Sequence, residues 1–247
     1  MFSSIRTLGE YCLFLVQVFR IPDKWREFFK SLIKEIYKLG VNSIPLVIII
    51  SLFIGAVICI QMTINIVSPL IPTYATGLTT REILILEFSS TMMCLILAGK
   101  VGSNISSEIG TMRVTEQIDA MEIMGINSAN FIVLPKIIGF VLFIPVLGIL
   151  SMFFGLLGGA IIAKFTTMLT LDTYIYGIQS FFNEWYIWYS LIKCLVFAFI
   201  ITSIAAYYGY HVKGGSLEVG QASTKAVVSS SIIILLADVI LTKLLLQ

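Results

Sequence analysis

The chain has 247 residues, of which 58% are hydrophobic and only 12% charged. A soluble domain carries about 25% charged residues, so this composition predicts an integral membrane protein. The net charge of +2 argues neither for nor against nucleic acid, but no basic cluster is interleaved with aromatics, which sets nucleic acid aside as a partner. Cys12, Cys59, Cys94 and Cys194 show no paired spacing, and three of them lie in apolar runs, so they read as small core residues. A single histidine, His211, cannot build a metal site, and no metal is expected.

Taken in order, residues 1–39 are amphipathic rather than spanning, with Ile21-Pro22 as a break. Trp25, Phe28, Phe29, Leu32, Ile33, Ile36 and Leu39 share one helical face, and Lys24, Arg26, Lys30, Lys34 and Lys38 occupy the rest. That pattern predicts a helix in the headgroup layer with its lysines toward phosphates; the alternative is a soluble helix packed on a partner. No secretory signal is expected, because Arg6 and Glu10 interrupt the first apolar run and no small-residue cleavage site follows.

Five spans follow. The first covers about 43–67, with Gln61 and Asn65 near its far end and Pro69 and Pro72 in the turn beyond. The second covers about 83–101 and contains Glu87. The third lies between Lys136 and Lys164, a length of about 42 Å at 1.5 Å per residue, which matches a bilayer with its headgroups. Pro145 is placed to bend it, and Gly158-Gly159 to admit a close neighbour. The segment 166–184 is too polar to span and predicts a short surface helix carrying Tyr174, Ile178, Phe181 and Phe182. Span four, about 185–208, opens on the interfacial belt Trp185, Trp188 and Tyr189. A polar turn over 209–224 leads to span five, about 226–246.

The longest polar interval, 98–125 (AGKVGSNISSEIGTMRVTEQIDAMEIMG), lies between spans two and three. Charges at Glu108, Arg113, Glu116, Asp119 and Glu122 would each cost several kcal/mol in hydrocarbon, so the interval lies outside it. Good helix formers favour a helix over about 104–125, stopped by Gly125. The helix reads as a solvated connection or as a docking element for a cytosolic partner. Seven of the sixteen lysines and arginines lie in residues 1–39, three around the central interval and two near the 209–224 turn. The positive-inside rule therefore puts the N-terminus, the interval and that turn in the cytoplasm, and the C-terminus on the far side.

Glu87, Lys193 and Asp238 fall within spans. Lys193 and Asp238 are both about 12 Å from the outer helix ends at 1.5 Å per residue. A lone charge at that depth is costly and a pair less so, so the two are predicted to face each other, with Glu87 in reach. The set reads as a static link between spans four and five or as a polar link that moves during transport. GxxxxGK[ST], GxSxG and HExxH motifs do not occur, and no catalytic residue is assigned. A secondary transporter with an ion relay would need inverted repeats, and none is visible; a non-transporting membrane anchor is the other alternative.

The 98–125 interval closely resembles a signature of the permease subunit of Mla-type phospholipid ABC transporters, the MlaE permeases, which include a plastid relative in plants. GYHVKGGSLEVGQASTKAVVSSS, with an aspartate in the last span, is similar to the family's second signature, and both are most similar to Bacteroidetes members. The resemblance covers the chain from residue 40 onward. Lys100 stands where many members carry arginine. The resemblance implies an all-α membrane fold with an elbow helix (1–39) and a permease domain (40–247). It implies two copies forming the membrane core and a cytoplasmic ATPase subunit that binds the ATP, this chain needing no cofactor. It further implies a periplasmic MCE-domain partner and, in some systems, a STAS-type protein. Such a transporter, in a bacterial inner membrane, moves phospholipid to or from the MCE partner to maintain outer-membrane asymmetry. The central helix becomes a coupling helix, with Glu108, Gly110, Thr111, Arg113, Glu116, Gln117, Asp119 and Glu122 as its ATPase-coupling residues. A lipid needs an apolar cavity with a few polar groups at its rim; Gln61 and Asn65 are candidates for that rim, or else hydrogen-bond between spans.

Overall fold

The computed structural model describes residues 2–21, 25–66, 72–165 and 169–246. The expected breaks at Pro22 and Pro69 fall outside the described residues. Among those described, the chain is all helix: α1 (Phe2–Val18), α2 (Trp25–Asn65), α3 (Ala75–Val114), α4 (Gln117–Ile123), α5 (Ser128–Phe165), α6 (Leu171–Gln179), α7 (Trp185–Tyr210) and α8 (Ser216–Leu246). Five of these, α2, α3, α5, α7 and α8, are long and apolar enough to cross a membrane. α3 and α7 are the most enclosed. α2 packs on α5 at one side, and α8 lies against α7 and α3 at the other.

The helices run on past the expected ends of their segments. The amphipathic segment joins span one in one continuous helix, because a π-helical turn at Ile36–Gly40 and a 3-10 turn at Val41–Ser43 carry the backbone through Gly40 to Pro45 without a break. Span two is much longer than 83–101. It extends as α3 for 40 residues, about 60 Å at 1.5 Å per residue, so its ends project from the bilayer. Its π-helical stretches, Leu84–Met92 and Ala98–Gly102, each widen the helix and re-aim the side chains that follow. Likewise α8 starts at Ser216 rather than near residue 226, since the Glu218 carboxylate accepts the Gly215 N–H at 2.8 Å and closes the first turn.

The apolar face expected on the first part of α2 is shared between two surroundings. Leu32 and Leu39 are buried against the protein, whereas Trp25, Phe29, Ile33 and Tyr37 form an exposed stripe at four-residue intervals. Further along, Val47, Ser51, Gly55 and Cys59 are buried, also four apart, and meet α5. Small residues let the backbones touch. A Cβ at Gly55 would overlap the Gly155 carbonyl, and one at Gly158 would overlap the Leu52 carbonyl. Ser51 and Ser151 hydroxyls share a 2.9 Å hydrogen bond across the crossing.

At the opposite end, Thr170 caps α6 by accepting the Thr173 N–H. Arg81 of α3 is buried and donates to the Ile178 and Ser180 carbonyls, both at 2.7 Å, at the end of α6. Its guanidinium also lies 5.7 Å from the Phe182 ring centre. A cation at a helix C-terminus satisfies orphan carbonyls and the helix dipole together. Arg81→Ala is therefore expected to cost about 3 kcal/mol, read as an earlier thermal melt of the detergent-solubilised chain. An unchanged melt would show the cap to be dispensable.

Candidate functional site: a braced polar corner and two charge clusters

The polar interval is not one helix over 104–125. α3 continues to Val114, with Ile105 and Ile109 fully buried, and α4 begins only at Gln117. Between them Glu116 takes a left-handed backbone, φ 59°, which costs a residue with a side chain about 1–2 kcal/mol. The turn is held from both sides: the Glu116 N–H donates to the Arg113 carbonyl, and Arg113 Nη1 pairs with Asp119 at 2.7 Å across it. Gly125, at φ 75°, ends the corner, with the Ile126 N–H reaching back to Met121.

Behind the corner stands Tyr210 of α7. Its hydroxyl donates to Glu122 at 2.7 Å, Ser128 donates to the same carboxylate oxygen at 3.0 Å, and Arg113 lies over the Tyr210 ring. The Tyr210 hydrogen bond, with help from Ser128 and Arg113, holds the Glu122 carboxyl below its ordinary range. Thr111, Glu116 and Gln117 face outward, joined by the strongly exposed Ile123 and Met124. Arg113, Asp119 and Glu122 are engaged within the chain. Gly110 is buried beneath Val212 and Val219, so its place is in the packing and not on the outer surface.

Glu108 also turns away from that surface. It accepts Lys136 at 2.7 Å and Lys38 at 2.8 Å, and Lys136 reaches Glu35 at 2.7 Å. This cluster pins α2, α3 and α5 together beside the π turn at Ile36–Gly40. Lys136 is 3% exposed, and such burial is tolerated because two carboxylates neutralise it. Lys136, Glu35 and Lys38 were not among the sequence candidates. The available signal was a lysine set inside the apolar run 131–140.

The second cluster lies toward the other end of the spans. Lys193 of α7, fully buried, pairs with Asp238 of α8 and lies 3.4 Å from Glu87 of α3. Tyr189 supplies an acceptor at 3.0 Å, and Thr91 donates to Asp238 at 2.9 Å and to Glu87 at 3.3 Å. All three sequence candidates meet here, with Thr91 and Tyr189 as additional members. Gln61 and Asn65 contact neither cluster; they are exposed, one turn apart, near the end of α2. The described residues contain no grouping of His, Cys, Asp and Glu that could hold a metal ion.

Comparison with known proteins supplies the frame for these features. The profile described as Permease MlaE matches residues 32–244. A probable ABC transporter permease protein of Rickettsia bellii is 31% identical over 243 residues, covering 97% of this chain and 92% of the relative. The intermembrane phospholipid transport system permease protein MlaE of Haemophilus influenzae is 30% identical over 238 residues, covering 96% and 91%. The chloroplastic protein TRIGALACTOSYLDIACYLGLYCEROL 1 of Arabidopsis thaliana is 29% identical over 161 residues, 65% of this chain and 46% of that one. With its polar corner and both charge clusters inside the matched region, and all but the outer ends of its five long apolar helices there too, the chain belongs to the MlaE permease family.

Proposed function

We propose that this chain is the membrane-spanning, non-catalytic subunit of an ATP-driven phospholipid transporter. The observation that carries the reading is the α3–α4 corner. Thr111, Glu116, Gln117, Ile123 and Met124 present polar and apolar surface outward, while Arg113–Asp119 and Tyr210–Glu122 brace it from behind. Exposed apolar side chains ringed by polar ones suit a protein contact, and a short braced helix transmits a push as one body. The partner is a cytoplasmic ATPase subunit, which holds the ATP. Its relatives' names as ABC transporter permeases support this reading.

Residues 1–39 act as the elbow and 40–247 as the permease domain, in two copies within a bacterial inner membrane. Twelve of the sixteen lysines and arginines fall on the side of the corner, which supports a cytoplasmic N-terminus and a periplasmic C-terminus. On the periplasmic side an MCE-domain protein exchanges phospholipid with the pair, and a STAS-type protein accompanies the ATPase. Gln61 and Asn65, exposed near that end of α2, serve as polar rim to the lipid path.

Glu116→Lys and Ile123→Asp are each expected to lower co-purification of the ATPase at least tenfold and to abolish lipid traffic. Glu116→Gly relieves the left-handed backbone yet removes the carboxylate. It should melt no earlier than the native chain while still losing the ATPase. Retention of the ATPase by all three variants would remove the corner as the contact.

A further inference from the structure

Beside the inner charge cluster the surface opens into a groove of about 540 Å³ between α2, α3 and α8, lined by Lys38, Lys100, Asn104, Ser107 and Ser223 and by one carboxylate, that of Glu108. Lys100, Ser103, Asn104 and Ser107 occupy positions i, i+3, i+4 and i+7, one face of α3. Three cations (Lys38, Lys100, Lys136) surround two carboxylates (Glu35, Glu108), and both carboxylates are already engaged by Lys38 and Lys136. One positive charge is left over, on Lys100, whose ammonium has a backbone carbonyl, that of Asn42, as its partner. The side chains of Asn104 and Ser107 have no hydrogen-bond partner among the described residues and face the groove as free donors. A net cation among unspent N–H and O–H groups is the chemistry of an anion site.

The depth of the groove narrows the choice of anion. Lys38 follows directly on the exposed stripe Trp25, Phe29, Ile33 and Tyr37, which belongs in hydrocarbon just beneath the headgroups. Lys100 lies 13 residues beyond Glu87 along α3, about 20 Å at 1.5 Å per residue. Both lysines therefore stand where lipid phosphates lie.

We infer that this groove binds the phosphate of an anionic phospholipid headgroup from the leaflet on the side of the polar corner. The site is separate from Gln61 and Asn65 and does not depend on how the transporter is driven. The lipid seated there would tie the π turn of α2 to α3 by bridging Lys38 and Lys100.

The test uses the full-length chain in detergent, with short-chain phosphatidylglycerol, the matching diacylglycerol and inorganic phosphate as probes, read by native mass spectrometry. The native chain should retain phosphatidylglycerol and not diacylglycerol. Lys100→Gln should weaken retention about tenfold, the loss of one charged hydrogen bond, and Lys100→Arg should restore it. Gly220 borders the groove, and a Cβ there meets nothing within 4 Å. Gly220→Leu should therefore fill the groove without disturbing the packing, and lower retention to a similar degree. Retention unchanged by both Lys100→Gln and Gly220→Leu would overturn the proposal. Displacement of the lipid by millimolar inorganic phosphate would reassign the site to a soluble anion and overturn the headgroup. Loss of retained lipid on adding the ATPase subunit would make the groove a protein contact and overturn it equally.

Discussion

Lys193→Met is expected to destabilise the chain by about 3–5 kcal/mol, the cost of breaking a buried ion pair by removing one partner. Lys193 is the hub of the outer cluster: its ammonium faces Asp238, Glu87 and Tyr189, drawn from three helices. Without it, Asp238 and Glu87 remain as neighbouring carboxylates, linked by Thr91 and lacking a cation. Asp238→Asn is expected to cost less, since Lys193 keeps Glu87 and Tyr189. The double variant Lys193→Met, Asp238→Asn should recover part of the loss, because Glu87 is half exposed and can stay hydrated. Thermal melts of the purified chain check the order: single lysine loss worst, double intermediate, aspartate loss mildest. A double variant as damaged as Lys193→Met would show that the pair contributes nothing as a pair.

Gly158→Ala is the second large effect. A new Cβ there would meet the backbone carbonyl of Leu52, and at Gly55 that of Gly155. A clash with a side chain can be relieved by a rotamer change, whereas one with backbone separates two helices. The cost should be about 3 kcal/mol or more, the upper part of the overpacking range. Valine at either site should prevent accumulation of folded chain. Phe53→Leu and Val57→Ala, on the exposed side of α2, should stay within about 0.5 kcal/mol. Equal yields for the glycine and the exposed-face variants would mean that the α2–α5 crossing is not a tight one.

The same crossing explains what could be read from sequence and what could not. Long apolar runs announce the five spans because hydrocarbon demands them. They do not say which face of α2 is inside, since Val47 and Cys59 are as apolar as Ile49 and Val57; only the small residues Ser51 and Gly55 mark the inner one. Lys193 and Asp238 are legible because an isolated charge at their depth has no acceptable surroundings. The inner cluster is not, because Glu108 and Lys136 also suit a membrane surface and Glu35 suits a solvated helix. Continuity of α2 and α3 is hidden too: the change from an amphipathic to a wholly apolar pattern near residue 40 marks no break, because a π turn at Ile36–Gly40 and a 3-10 turn at Val41–Ser43 carry the helix through it. The split at Glu116 is the least legible feature. Glutamate is a good helix former, and its left-handed backbone is imposed by Arg113, Asp119 and the carbonyl it reaches.

Tyr210 does more than steady Glu122. Its ring packs against Phe14 of α1, which also meets Tyr207 and His211. Asn127 and Asn130, at the start of α5, donate to the carbonyls of Gln17, Val18 and Arg20 at the end of α1. Four chain segments thus converge on one aromatic and amide knot: the end of α1, the corner at α4, the start of α5 and the end of α7. In mechanical terms the knot ties α4 to both neighbouring spans and to α1. A load on the outer face of α4 cannot be spent on bending α4 alone, and it is shared at once by a span on either side and by the N-terminal helix.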